Sequence, residues 1–111
     1  MAQDRFRVDY DLVAKYEYGS WEGWEEDDDT VVFNSNDNGD IIHYKASGKK
    51  ETYRKVVKKD EGYTDSGKHY QIIAILDEDG MKMLLPYFDD STIGIKLILS
   101  SDFMIQFAKK E

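Results

Sequence analysis

The sequence predicts an all-β protein in which eight antiparallel strands form a meander that closes into a small barrel. The segment Phe6 to Tyr18 alternates apolar and mostly polar residues with the period of two that is typical of a strand with one wet face. Further short β segments follow, separated by turns, and no apolar repeat has the helical period. The links are too short for parallel crossovers, and closure removes exposed edges. A flattened β-sandwich would satisfy the same pattern.

Composition predicts one domain spanning residues 1–111 and restricts its partners. The net charge of -8 opposes nucleic acid, whose phosphates require a positive surface. The chain has no cysteine, which excludes disulfides and thiolate sites, and no apolar run approaches the roughly 20 residues of a membrane span. The start Met-Ala-Gln-Asp indicates either a cytosolic protein or a mature form that has lost a signal peptide.

The first strand is predicted to bend. At about 3.3 Å per residue, Phe6 to Tyr18 would extend for roughly 43 Å, which is too long for a straight strand in a domain of this size. Val13 marks the expected bend, because it is apolar on the otherwise polar face. The residues predicted to share the apolar face are Phe6, Val8, Tyr10, Leu12, Ala14, Tyr16 and Tyr18.

The remaining elements follow from short-range signals. Gly19 to Asp29 is predicted to be a loop, and Asn38-Gly39 favours a tight hairpin turn. His69 to Leu76 is apolar on both faces and is predicted to be buried on both. The other predicted strands are Thr30 to Phe33, Ile41 to Lys45, Thr52 to Lys58, Met81 to Phe88, Ile93 to Leu99 and Phe103 to Phe107.

No catalytic residues are predicted. His43 and His69 lie within strands and lack a nucleophile turn, so we expect hydrogen-bonded or solvent-facing structural histidines; His43 should share a face with Ile41. Carboxylates are too abundant to identify a pair for hydrolysis, and mutual repulsion should keep the run Asp27 to Asp29 exposed. A carboxylate-dependent hydrolase is therefore the weakest alternative.

No metal site or cofactor is predicted either. Asn34 to Asp40 alternates oxygen-bearing side chains in the manner of an EF-hand loop. The first position is Asn34 rather than Asp, and Lys45 stands where the bidentate Glu belongs. The segment is therefore expected to form a hairpin turn.

Four aromatic residues are the predicted ligand-binding surface. Trp21 and Trp24 lie in an acidic loop, and Tyr16 and Tyr18 precede it. Large rings in a loop can stack on a sugar, an apolar ligand or a partner protein. The structural alternative is that the loop tucks its tryptophans into the barrel end as a plug.

Three features of the sequence resemble those of a known group of proteins. They are Gly19 with Trp21 and Trp24, the turn Asp77 to Gly80, and the final aromatic strand Phe103 to Phe107. The chain resembles short exported all-β proteins of Bacteroidetes-type bacteria, a largely uncharacterised group, and Gly19-Ser20-Trp21 is similar at a distance to the Gly-x-Trp signature of lipocalins. The resemblance implies a lipocalin-like barrel in a periplasmic or secreted protein and supplies no catalytic residues.

These observations favour a non-enzymatic binding module that engages an apolar small molecule or a glycan through the barrel end and the tryptophan loop. A ligand carrier of this kind should contain a pocket of roughly 300 Å³ or more. The alternative is a protein-interaction module that uses the acidic loop or the basic hairpin Lys49 to Lys59.

Overall fold

A computed structural model describes residues 5–36 and 38–110, with the side chains of residues 58 and 59 excepted. Within these residues the secondary structure is entirely β, in nine strands. The strands are β1 (Phe6–Glu17), β2 (Ser20–Trp21), β3 (Glu25–Phe33), β4 (Ile41–Tyr44), β5 (Lys50–Tyr63), β6 (His69–Leu76), β7 (Lys82–Phe88), β8 (Ile95–Ser100) and β9 (Phe103–Ala108).

Eight of these strands close into an antiparallel barrel. From β3 onward each strand pairs with the next in the chain, and β1 pairs with both β3 and β9. The short β2 stands outside this circuit and pairs only with the end of β1. The predicted fold class, a small lipocalin-like barrel built from an antiparallel meander, is confirmed.

The two halves of β1 pair with different neighbours. Its first half follows β3 from Phe6 to Val13, and its second half follows β9 from Leu12 to Glu17. The pairing with β3 shifts register between Tyr10 and Leu12. The strand therefore changes partner next to Val13, where the sequence predicted a bend.

The predicted single apolar face of β1 is wrong beyond Tyr10. Tyr10 and Val13 both pack against the core although they are three residues apart, so the inward face changes phase between them. Lys15 then pairs with the core-packed Ile105 and shares its inward face, whereas Tyr16 lies on the outer face. A register shift in a curved strand reverses the side-chain alternation that a regular strand would keep.

The core fills the barrel interior. It is aliphatic in the middle and aromatic toward β1, β3, β5 and β9, with members from every strand of the circuit. The predicted burial of β6 on both faces is confirmed, since Ile73, Ala74 and Ile75 are consecutive and buried. The buried residues of the cluster are Tyr10, Val31, Phe33, Ile41, Tyr53, Ile73, Ile75, Met83, Leu85, Ile95, Leu97 and Phe107.

Gly94 lets the chain enter β8 against β9. Its φ is 79°, and a Cβ at this position would lie 1.8 Å from the carbonyl oxygen of Phe107. Any side chain would therefore collide with backbone that cannot move aside without opening the barrel.

Two predicted boundaries are wrong. The predicted loop from Gly19 to Asp29 contains β2 and the start of β3, and β5 continues to Tyr63, beyond its predicted end at Lys58. The turn before β4 forms as predicted, with Ser35 N donating to Asp40 O and Gly39 at a φ of 81°. Asp37, which belongs to the calcium-like pattern, lies outside the described residues.

Candidate functional site

A buried acid and a buried histidine meet inside the barrel. Asp29 lies on β3 in phase with the core residue Val31, and His43 pairs directly with Val31 from β4. Their side chains are 2% and 3% exposed, and Asp29 Oδ1 is 2.8 Å from His43 Nε2. The two residues thus form a diagonal cross-strand pair on the inner face.

The pair continues into a chain of polar side chains on β4 and β5. His43 Nδ1 lies 3.5 Å from the hydroxyl of Tyr53, which donates to Glu51 Oε2 at 2.8 Å. Lys45 Nζ donates to the other Glu51 oxygen at 2.7 Å. Since Tyr53 donates its proton to Glu51, its oxygen is available to accept from Nδ1 of His43.

Burial removes charge from the pair. Burial and, to a smaller extent, the neighbouring Asp27 carboxyl together raise the pKa of Asp29 to about 7. Burial also lowers the pKa of His43 to about 4, with a smaller contribution from Lys45. A neutral Asp29 can donate to Nε2 while Nδ1–H faces Tyr53, so the pair is stable as two neutral groups that share one acidic proton.

One atom of this pair is left without a partner. Among the described residues, Asp29 Oδ2 is buried and makes no hydrogen bond. An unpaired buried carboxyl oxygen costs roughly 1–3 kcal/mol of stability, or more where it carries charge. A feature of this kind persists where a ligand or water completes it.

Asp29 and His43 line a cleft of about 410 Å³ that opens at one end of the barrel. The wall combines an apolar strip from β1 and β9 with charged side chains from β1, β3 and the segment that follows β4. The lining residues are Val13, Lys15, Glu25, Glu26, Asp27, Asp29, His43, Lys45, Ala46, Ser47, Ile105 and Phe107.

The electrostatic character of the cleft is acidic. Its wall carries four carboxyl groups, counting Asp29, against the two amines of Lys15 and Lys45. Lys45 is bound by Glu51, and Lys110 forms an ion pair with Glu26 at the rim. The side of the cleft that holds Asp27 and Asp29 therefore favours positive charge.

Two other concavities are not lined by the Asp29–His43 pair. The opposite barrel end holds about 340 Å³ beside the rings of Phe6, Phe33 and Tyr87, which contact one another at centroid distances of 4.7 to 5.8 Å. A larger groove of about 580 Å³ runs along the outer surface past Arg7 and Tyr44. Neither contains a buried titratable pair, so the cleft above Asp29 is the better candidate for recognition.

The four predicted ligand-binding residues lie on the outside of the same barrel end. Tyr16 packs against Trp21 with ring centroids 5.3 Å apart, and Lys96 Nζ lies 5.7 Å above the Trp21 ring. Tyr18 meets Phe103 edge to face and is 75% exposed. Trp21 and Trp24 are 43% and 49% exposed. They do not plug the barrel, and none of the four lines the cleft.

The most informative site residue was missed in the sequence. Asp29 was expected to be exposed with its acidic neighbours, and that expectation is wrong because the residue is 3% exposed. The sequence does contain a signal for this burial, because Asp29 alternates with Val31 and Phe33 and therefore shares their inward face. His43 was correctly expected to share a face with Ile41, and both are buried.

His69 also has carboxylate partners, but at the surface. Its two ring nitrogens lie 2.8 Å from Glu61 Oε2 and from Asp89 Oδ2. These hydrogen bonds raise its pKa. Both histidines are therefore hydrogen-bonded, as expected.

Two features are absent from the described residues, 5–36 and 38–110. They contain no cluster of three or more acidic, histidine or cysteine side chains arranged to hold a metal ion. Nor does any helix in this part of the chain have the length and apolarity to cross a membrane.

Comparison with known proteins gives no relative from which to transfer a role. No protein family, curated protein or solved structure matches this chain.

Proposed function

We propose that the protein is a non-enzymatic binding module that holds a small molecule in the cleft at the barrel end. The observation that carries the proposal is that Asp29 lines this cleft and that its Oδ2 is buried without a hydrogen-bond partner among the described residues. A bound molecule that donates a hydrogen bond would satisfy that oxygen. The volume of about 410 Å³ suits a small ligand.

Both predicted ligand classes have support in the lining. Val13, Ile105 and Phe107 offer an apolar wall, and Lys15 and Ser47 offer polar groups. An apolar molecule with one polar end, or one sugar ring of a glycan, uses both parts of this surface. A glycan long enough to leave the cleft would meet the rings of the tryptophan loop outside.

A binding role is favoured over catalysis by the state of the groups around His43. Its second ring nitrogen faces Tyr53, and burial together with Glu51 raises the pKa of that hydroxyl. A hydroxyl that holds its proton so firmly is a poor nucleophile. The hydrolase alternative has no further support.

Cleft binding is tested by nuclear magnetic resonance with a fragment mixture and a blocking variant. Bound fragments should shift the methyl signals of Val13 and Ile105. Ala46→Trp, in the turn at the cleft mouth, should abolish these shifts. The matched control Ser66→Trp, in a turn at the opposite barrel end, should leave them unchanged. Shifts confined to the indole signals of Trp21 and Trp24 would overturn the proposal.

A protein-interaction role is the second candidate, and a separate observation favours it. Tyr18, Leu99 and Phe103 are exposed large apolar residues, and Tyr18 and Phe103 touch. Grouped exposed rings are typical of interfaces. If the acidic loop steers a basic partner, association should weaken markedly with added salt, whereas binding to an apolar surface should not.

A periplasmic or secreted location stays a prediction that rests on the resemblance. Fractionation of cells that express the full-length gene product tests it, with an exported protein expected outside the cytoplasmic fraction.

A further inference from the structure

We propose that the ligand of this cleft is an organic amine with an apolar body, whose ammonium group binds at the paired carboxyls of Asp27 and Asp29. This inference rests on the proposed function and specifies the chemical class of its ligand. Three features of the cleft support it: the carboxyl pair, the charge of the wall and the apolar strip beside the pair.

The carboxyl pair provides the recognition point. Asp27 and Asp29 line the same cleft, and the Asp27 carboxyl raises the pKa of Asp29. His43 Nε2 occupies Asp29 Oδ1, which leaves Oδ2 without a donor among the described residues. Two adjacent carboxyl groups need a proton or a cation between them, because two bare carboxylates repel each other. An ammonium group supplies both the positive charge and several N–H donors.

The rest of the wall selects a cation over an anion or a neutral molecule. Glu25 adds to the negative charge of Asp27, whereas Glu26 is paired with Lys110 and the Lys45 amine is bound to Glu51 at 2.7 Å. A carboxylate ligand would be repelled here. An alcohol could hydrogen-bond to Oδ2, but without the added strength of a charged donor.

The shape of the cleft selects an organic cation. Val13, Ile105 and Phe107 form an apolar strip, and a hydrated metal ion would gain no favourable contact from it. The described residues also lack the three or more clustered ligands that would hold a metal. An amine that carries an aromatic or aliphatic group contacts the strip and the carboxyl pair together.

Binding of an amine is linked to protons. With the pKa of Asp29 at about 7, the ligand's ammonium displaces a proton from the pair in acidic solution, so affinity should rise as pH increases toward 7. Charged and titratable groups of every neighbouring element contribute to this balance. They are Tyr10 and Lys15 of β1, Asp27 and Asp28 of β3, His43 of β4 with Lys45 after it, and Glu51 and Tyr53 of β5.

The test compares three probes of similar shape by calorimetry: phenethylamine, 2-phenylethanol and 3-phenylpropanoate. The amine should bind at least about 10-fold more tightly than the alcohol, the ratio expected for a charge-assisted hydrogen bond. Asp29→Asn and Asp27→Asn should each remove this advantage. Asp65→Asn is the control with the same change of charge, since Asp65 is an exposed acid in the turn between β5 and β6, outside the cleft, and it should leave the ratio unchanged.

The outcomes separate this inference from the proposed function. Equal or tighter binding of the alcohol or the carboxylate in the cleft would overturn the amine and leave the binding module standing. Calcium chloride alone shifting the Val13 and Ile105 methyl signals would overturn it in favour of a metal. If none of the probes or fragments shifts those signals, both proposals fail. Asp27 is only partly buried, so Asp27→Asn decides the matter even if Asp29→Asn does not fold.

Discussion

The two histidines of this protein have similar partners and opposite chemistry. His43 lies 2.8 Å from Asp29 and is 3% exposed, whereas His69 lies 2.8 Å from both Glu61 and Asp89 at the surface. The pKa of His43 is lowered to about 4, while that of His69 is raised. A carboxylate neighbour therefore does not decide the charge of a histidine by itself.

The difference comes from what each site loses on leaving water. At His69 the carboxylates remain partly hydrated and stabilise the imidazolium through two hydrogen bonds. At His43 both partners are desolvated, and the cost of burying two charges exceeds their attraction. The buried pair is consequently neutral and is the part of the molecule that can accept a ligand's charge.

Removing the buried histidine should give the largest effect on stability. His43→Leu removes the hydrogen bond between His43 Nε2 and Asp29 Oδ1 and leaves the Asp29 carboxyl buried inside the barrel. We expect the free energy of unfolding to fall by about 3 kcal/mol or more. Urea denaturation at neutral pH measures it, with Tyr44→Leu on the outer face of the same strand as the control. A loss no larger than the control's would contradict the buried pair.

Single substitutions should also expose opposite pH dependences. In the unsubstituted protein, Asp29 and His43 together hold one dissociable proton between about pH 4 and 6.5, whether the chain is folded or unfolded. The two pKa shifts therefore make opposite contributions to the pH dependence of stability, and these contributions cancel. His43→Gln leaves the raised pKa of Asp29, so stability should fall as pH rises from about 4 to 7. Asp29→Asn leaves the lowered pKa of His43, so stability should fall as pH decreases from about 6.5 to 4.

Each slope should approach 1.4 kcal/mol per pH unit within its window, since one proton separates the folded and unfolded states. Denaturation curves at a series of pH values measure both slopes. Slopes of the same sign in the two variants would be incompatible with a neutral native pair.

Replacing both members should restore part of the lost stability. In the double variant with Asp29→Val and His43→Leu, neither desolvated polar group remains. We expect it to be more stable than His43→Leu alone by about 2 kcal/mol. A double-mutant cycle, which includes Asp29→Val, gives the coupling energy, and strict additivity of the two single effects would refute a direct interaction.

The surface histidine should give the smallest effect. His69→Gln removes hydrogen bonds that are exposed to solvent and screened, so the denaturation midpoint should stay within experimental error of the native value at neutral pH. The same urea curves measure it. A loss comparable to that of His43→Leu would erase the distinction between the two sites.

The local pattern of the sequence predicts the strands and turns well. Asn38-Gly39 and the apolar runs of β6 and β8 are short-range signals, and a barrel follows from counting them. The local pattern does not show which side chains of β1 point inward beyond Tyr10. Leu12 and Val13 are adjacent apolar residues, and only pairing with two different neighbours decides which of them points inward.

The candidate site depends on register, which the sequence contains only indirectly. Asp29 shares the phase of Val31, and His43 shares that of Ile41, so each residue is inward by alternation. Their contact also requires that Val31 pair with His43. This register depends on the length of the loop between β3 and β4, and a loop of another length would separate the two side chains. The acidic run around Asp29 also suggested exposure, because charge repulsion is a local rule and burial is a property of the whole barrel.

The neutral buried pair is tested most directly by an imidazole titration of the folded protein. The chain has only two histidines, and His69→Gln assigns their signals. We predict that His43 remains neutral until the pH falls to about 4, while His69 takes up its proton above about 6.5, the usual histidine value. A pKa of His43 above 6.5, equal to or higher than that of His69, would contradict the account.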